Sequence, residues 1–391
     1  MSMPFASGAR KSLSAFFLSG QLFSILGAIL PAWGHHINSG YAVIGWYFFS
    51  INLGVLVSMR AARWLLKRKP IEFVLALSSG MATAAMLLLA AASGPVDPLW
   101  RMGGLFLIGL SLGLMHSAVF EAISPLYTHN PAATVNIAGA MFGLGSLVTS
   151  LLVAGTFYVY TVPSILCLIA VIPGFFCIFY ARSKFETEPG PPPPTLKESL
   201  ADFKTLSGVL FLLLLFFQFG SEWALAGWLP LFLSQRLGVS PASSIFMLAF
   251  YWFSLLVGRV IAQAVMPRVS HARLLFGCTL AALFGTLLLT ATDNLSGAFV
   301  GLLLIGAGFA PIYPLMVEKI GGRFPYYRPG YFNGIFSFAI SGGLLAPWSL
   351  GFLTGSYGIG AVMAIPSLGT CMVFVLTSLL WLEMRFSVDV K

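Results

Sequence analysis

Twelve stretches of about 20 predominantly apolar residues run through this chain, separated by short polar breaks, and a helix of that length crosses a ~30 Å hydrocarbon core. In lipid every backbone N–H and C=O must be bonded within the protein, so only helices and closed barrels can span. Barrel strands are short and alternate apolar with polar residues, whereas these runs are long and apolar all round. They cover about residues 12–33, 41–60, 71–93, 99–122, 132–155, 160–181, 207–233, 241–266, 274–292, 296–318, 331–354 and 359–382. A chain with 58% hydrophobic and 8% charged residues falls outside the soluble globular range. The expected fold is an all-α integral membrane protein of twelve transmembrane helices.

Basic residues collect on the cytoplasmic side of such proteins. With the N-terminus inside, only Arg101 and Arg236 of the 21 Lys and Arg residues fall at the outer face. Both termini are then expected in the cytoplasm, in a plasma membrane (the inner membrane of a bacterium). Topology and contact with anionic lipid account for the net charge of +9, and nucleic acid is not an expected partner. The first apolar run is too long for a removable signal peptide and lacks a small-residue cleavage site. Cys167, Cys177, Cys278 and Cys371 are scattered within predicted helices, and His35 and His36 have no third ligand at metal spacing, so no metal site or cofactor is expected. Motifs of nucleotide-dependent and hydrolytic enzymes are absent, which argues against an enzyme.

The charged, proline-rich segment "SKFETEPGPPPPTLKESLADFKT" cannot enter lipid and stands near the midpoint of the chain. It divides the sequence into an N-terminal six-helix bundle (1–182), a cytoplasmic linker (183–206) and a C-terminal six-helix bundle (207–391). The two parts repeat without gaps. "GLFLIGLSLGLMHSAVFEAI" from Gly104 lies over "GLLLIGAGFAPIYPLMVEKI" from Gly301, and the same displacement brings Glu121 onto Glu318, His116 onto Tyr313, Asn136 onto Asn333, Gln21 onto Gln218 and Ser24 onto Ser221. An even number of helices in each half gives the repeats the same orientation in the membrane.

Two parallel six-helix pseudo-repeats joined by a central linker resemble the major facilitator superfamily over essentially the whole chain. That resemblance implies a substrate cavity between the halves near mid-membrane, opened to one side at a time as the halves rock. The superfamily's loop signature after its second helix is degenerate here: "GVLVSMRAARWLLKRK" keeps Gly54 and the basic cluster but has Ser58 where an Asp is usual. Its counterpart "VGRVIAQAVMPRVSHAR" keeps Gly258 and Arg259, followed by Arg268 and Arg273, and also lacks the acid. Glu121 and Glu318 resemble paired acidic gate positions, with Arg60 or Arg63 and Arg259 or Arg268 as expected partners. An ion pair at a helix end can break when the halves separate; the plainer alternative is that both acids snorkel to the interface.

Glu222 is placed differently. From a helix start near Ser207 it lies ~22 Å along the axis at about 1.5 Å per residue, inside the hydrocarbon zone. A charge there costs about 2.5–3.5 kcal/mol on insertion scales, so such residues face a cavity and serve an ion or a substrate. Glu222 is the expected proton-coupling residue, the alternative being a hydrogen-bonded anchor to a neighbouring helix. One turn earlier lies Gln218, and around them are expected Asn52, Trp223, Trp228, Tyr251, Trp252 and Tyr313, with Gln21 and His116 from the first and fourth helices. Neutral amides and aromatic faces suit a polyhydroxyl ligand.

Within the superfamily, "GSEWALAGWLPLFL", Gly258-Arg259 and "NIAGAMFGLGSL" resemble the fucose-permease-like group. That likeness implies a monosaccharide or related polyol moved with a cation, a proton or sodium, with Glu222 and Trp228 as pattern positions. Gln21 stands in the first helix where proton-driven fucose carriers have an acid. The expectation is thus a monomeric secondary transporter of a small polar solute, working by alternating access in the bilayer. An exporter of amphipathic drugs or lipids is the alternative within that class, and a non-transporting membrane sensor the alternative outside it.

Overall fold

A computed structural model describes residues 7–37, 40–123, 131–185, 197, 204–324 and 334–388. All regular structure among these residues is helical. In chain order the helices are α1 (Ser7–Ile37), α2 (Tyr41–Leu66), α3 (Ile71–Ala91), α4 (Pro98–Ile123), α5 (Pro131–Thr156) and α6 (Val162–Ala181). They continue as α7 (Leu206–Arg236), α8 (Pro241–Val265), α9 (His271–Ala291), α10 (Leu295–Phe309), α11 (Ile312–Arg323), α12 (Gly334–Tyr357) and α13 (Ala364–Val388). Among the described residues twelve segments are long and apolar enough to span a membrane, because α10 and α11 together make the span Leu295–Arg323. The chain is a multi-pass membrane protein. Most of the proline-rich segment and Asn333 lie outside the described residues.

The tenth span differs from the single helix expected over 296–318. It breaks at Ala310 and Pro311, since proline has no N–H to donate and its ring clashes with the preceding turn. Pro314 is accommodated in the first turn of α11, where an N–H has no helical partner in any case. Pro31, Pro173, Pro230 and Pro347 instead sit within helices that continue past them, as membrane helices allow.

Lipid contributes no hydrophobic drive between helices, so close packing and hydrogen bonds hold them together. Small residues supply the closeness. A Cβ on Gly109 would stand 2.0 Å from the carbonyl oxygen of Ile51, which lets α4 lie directly on α2. Gly306, the repeat mate of Gly109, does the same for α10 on α8, where a Cβ would come within 3.0 Å of the Tyr251 oxygen. The pattern recurs throughout: α1 packs on α5 as α7 packs on α12, and α3 on α6 as α9 on α13. Hydroxyls join two of these crossings, Ser24 to Ser150 (3.0 Å) and Thr286 to Thr370 (2.9 Å), and Ser14 to Tyr180 (2.7 Å) adds a bond between α1 and α6. The outside of the bundle carries exposed Val171, Phe175, Phe284 and Leu303, the surface a bilayer requires.

At the end of the bundle away from the termini, Arg101 is 1% exposed rather than lying free on the outer face. Its Nε donates to Ala92 O (2.9 Å), Nη1 to the Tyr47 hydroxyl (2.7 Å), and Nη2 to Gly94 O (3.0 Å) and Val96 O (3.3 Å). Its guanidinium also lies 5.9 Å from the ring centroid of Trp33, whose Nε1 donates to Ser93. One side chain therefore fastens α1 and α2 to the α3–α4 turn and satisfies carbonyls that neither lipid nor a helix would meet. Replacing it leaves those acceptors buried and unmatched. Arg101→Met is expected to cost about 3 kcal/mol or more, read as a lower unfolding temperature in detergent, with Arg101→Lys recovering only part because an ammonium lacks the planar fork. An unchanged unfolding temperature in both variants would disprove this role.

Candidate functional site

The spans alternate in direction, so Ser7 and Val388 lie on one face, the terminal face, and a cavity is displaced toward it. It measures about 160 Å³. Its walls come from both six-span parts of the chain: Phe16 of α1, Val55 of α2, His116 and Phe120 of α4 and Phe142 of α5 on one side, Phe219, Glu222 and Trp223 of α7, Arg259 of α8, Tyr313 of α11 and Ile340 of α12 on the other. Most of the wall is apolar or aromatic. His116 and Tyr313, which the sequence repeat superposes, face the cavity from opposite sides.

Aromatic rings close the cavity from the end away from the termini. Phe23 of α1 packs at 5.0 Å on Trp223, 5.3 Å on Phe142 and 6.1 Å on Trp252, measured between ring centroids. Beyond them Phe48 stacks on Trp228 at 5.8 Å, and the indole Nε1 of Trp228 donates to Pro347 O at 2.9 Å. Gly45 of α2 lies directly against Gly351 of α12 at this end, and Tyr41 donates to Gln235. The cavity is separated from the far face by several layers of side chains.

Glu222 occupies the middle of α7 and is 8% exposed. Its carboxylate accepts from the Gln218 amide one turn earlier at 3.5 Å. Arg259 lies in the facing part of α8, 7% exposed, within electrostatic reach of Glu222 but beyond the 4.0 Å of a direct ion pair. Its Nη1 donates instead to the carbonyl of Gly139 on α5, an approach open only because residue 139 has no side chain: a Cβ there would stand 2.4 Å from that nitrogen. Asn136, one turn before Gly139, reaches back and donates to Arg259 O (2.9 Å) and Gln263 Oε1 (3.0 Å). The two helices thus hold each other reciprocally, side chain to backbone in both directions. Arg259 Nε, Gln218 Oε1, Tyr251 Oη and Trp252 Nε1 are buried without a hydrogen-bond partner among the described residues.

Several residues expected at the site are used elsewhere. Gln21 is fully buried and donates to Ile169 O at 3.1 Å, tying α1 to α6. Asn52 donates to Leu344 O and joins α2 to α12. Trp228, Tyr251 and Trp252 are buried behind the wall rather than in it. Of the expected gate pairs, Glu318 meets His271 at 3.4 Å instead of Arg259 or Arg268. The reason is position: Arg259 turns inward to the cavity, while Arg268 lies exposed beyond the end of α8. Arg60 and Arg63 are exposed near the end of α2, and Glu121 is half-buried in the last turn of α4.

The phenylalanines of the wall, and Gly139 with Asn136 as the seat of Arg259, were not expected. Phenylalanine is too common here, at 35 residues, for any one to stand out. Arg259 carried a signal: it lies in an apolar run, about two turns before its end, which is where a charge needs a partner.

A family model described as the Major Facilitator Superfamily matches residues 127–347. An uncharacterised MFS-type transporter of Yersinia pestis is 22% identical over 140 residues, a match spanning 36% of this chain and 36% of that relative. Among solved structures, the transporter FucP in the outward conformation superposes over 95% of this chain and 98% of its own, at 16% identity and a TM-score of 0.66. A variant of the Escherichia coli fucose:proton symporter FucP does so over the same shares, at 16% identity and a TM-score of 0.63. The matched model covers more than half of the sequence, and the chain belongs to the Major Facilitator Superfamily.

Proposed function

We propose that this protein is a secondary transporter that carries a small polar solute, of the size of a monosaccharide or polyol, by alternating access, with a proton (or sodium ion) taken up at Glu222. The observation that carries this reading is Glu222 itself, a carboxyl buried halfway along a membrane span in the wall of a cavity. Such a group is costly unless it is protonated or meets a ligand, and a carrier supplies both conditions in turn. The volume of about 160 Å³ favours a small solute over a drug-sized one, since drug-sized ligands occupy clefts of roughly 300–1,000 Å³. Polar recognition falls to Glu222, Arg259, His116 and Tyr313, the polar side chains of the wall, because the Gln21 and Asn52 amides are bonded to backbone carbonyls and Gln218 lies behind Glu222. Aromatic faces such as Trp223 suit the apolar C–H face of a sugar ring. The same wall favours a second reading, an amphipathic solute, through its phenylalanines.

In this reading residues 1–182 and 207–391 rock against each other in a plasma membrane, with both termini in the cytoplasm. The reciprocal bonds between α5 and α8 then act as a latch on the side of the termini. The aromatic layers around Phe23 and Trp228 close the other side. Such bonds suit a latch, since the Asn136 bonds each contribute only about 1 kcal/mol net and the one from the Arg259 guanidinium about 1.5–3, and all can be exchanged for water as the halves part.

Two measurements test this. Proteoliposomes with an imposed proton or sodium gradient are expected to accumulate at least one member of a panel of radiolabelled small polar solutes that spans monosaccharides, polyols and their acids. Glu222→Gln should reduce accumulation to the equilibrium level while exchange of solute continues; accumulation equal to the native chain would leave Glu222 as an anchor for Gln218. For the latch, Ala138→Cys in a background lacking the four native cysteines reports access to the cavity from the side of the termini. Adding Asn136→Ala is expected to raise its rate of maleimide labelling roughly tenfold, the effect of two lost hydrogen bonds, and an unchanged rate would remove Asn136 from the gate.

A further inference from the structure

The cavity wall holds one side chain that is always cationic and one that can be anionic, and the two are not in contact. Arginine is not deprotonated in proteins, so Arg259 brings a fixed positive charge, 7% exposed, with Nε unpartnered and one N–H on Gly139. Ionised Glu222 balances it at a distance. The other titratable groups facing this pair are His116 of α4, Tyr313 of α11 and Tyr251 of α8. An uncompensated charge on side chains as buried as these costs several kcal/mol, so the favoured states keep the sum of charges at zero.

That condition discriminates between solutes. A neutral solute leaves the balance as it finds it and gives Glu222 no reason to change its proton. A solute with one carboxylate brings a second negative charge, and the sum returns to zero only when Glu222 takes up a proton. The unspent donors of Arg259 are what a carboxylate requires, because a guanidinium binds it through two parallel N–H bonds.

We propose, on the basis of the carrier reading above, that the solute is a monocarboxylate bound by Arg259 and moved with one proton on Glu222, with no net charge crossing the membrane. The proton passes from the aqueous side onto the Glu222 carboxylate, and is released when the solute leaves. A bound carboxylate also draws toward the cavity the same guanidinium that holds the Gly139 carbonyl, so occupancy loosens one bond of the α5–α8 latch.

The test uses the full chain in proteoliposomes, with protein-free liposomes as the baseline, and radiolabelled pairs matched in size, D-glucuronate with D-glucose and D-gluconate with D-glucitol. Uptake is followed under a pH gradient at zero potential, and under a potassium–valinomycin potential at zero pH gradient. Expected are accumulation of a carboxylate member driven by the pH gradient and unmoved by the potential, and no accumulation of its neutral partner. Arg259→Gln should weaken carboxylate binding roughly tenfold or more, the loss of a charge-assisted pair, read as the concentration giving half-maximal thermal stabilisation in detergent. Arg259→Lys should recover part of it, which separates binding from misfolding. Accumulation of a neutral member, driven by either the pH gradient or the potential, overturns the proposal and leaves the carrier reading intact. Loss of pH-driven accumulation in His116→Asn but not in Glu222→Gln overturns the assignment of the proton. A chain that moves no member of either pair overturns both the proposal and the carrier reading.

Discussion

The cost of a bare charge or an unbonded carbonyl in hydrocarbon governs this molecule at every level, from the choice of helices to the use made of single side chains. Three charged residues are buried among those described: Arg101, Glu222 and Arg259. Arg101 distributes its N–H groups over three carbonyls and a tyrosine hydroxyl and faces no cavity. Its charge is absorbed by fixed dipoles, which is the behaviour of a structural staple. Glu222 has one long bond from Gln218, and Arg259 one bond to Gly139 with Nε left over. The same residue type therefore appears in two states, saturated at the end of the bundle and unsaturated beside the cavity, and the difference marks where a ligand has something to offer.

Internal repetition converts this local economy into an architecture. Gly109 and Gly306 bring equivalent pairs of spans into contact, and His116 and Tyr313 arrive at opposite walls of one cavity because they are equivalent positions of facing repeats. Equivalence does not extend to charge: α7 and α8 contribute Glu222 and Arg259, while their counterparts α1 and α2 contribute Phe16 and Val55. The packing is symmetric and the chemistry is concentrated on one side, so in the proposed carrier one half holds the solute and the other closes over it.

How far the sequence could be read follows from the range of each interaction. Apolar run length is a local property, and all twelve spans are legible from it; the break at Pro311 turns on the backbone at a single residue within a run that remains apolar. The depth of Glu222 follows from helix rise alone. Which way Gln21 or Asn52 points depends on the rotation of each helix, and this is set by packing of residues far apart in the chain: Ile169 for Gln21 and Leu344 for Asn52. Polar residues in a span have two outlets, a cavity or a neighbour's carbonyl, and their identity does not distinguish them. The seat of Arg259 was hidden for a related reason, since a missing side chain at Gly139 leaves no chemical mark in the sequence.

Arg259 belongs at once to the cavity wall and to the contact between α5 and α8. A ligand that draws the guanidinium inward must take it from Gly139, and a movement that separates α5 from α8 must release it toward the cavity. In the proposed cycle the two events pull on one guanidinium, so binding and opening are linked by competition for its position rather than by a path through the protein. The linkage is reciprocal: whatever free energy the ligand contributes to loosening the latch, an open latch returns as affinity for the ligand. Asn136 supplies the part of the contact that the ligand does not touch, and in that proposed cycle it sets how firmly the empty carrier stays shut.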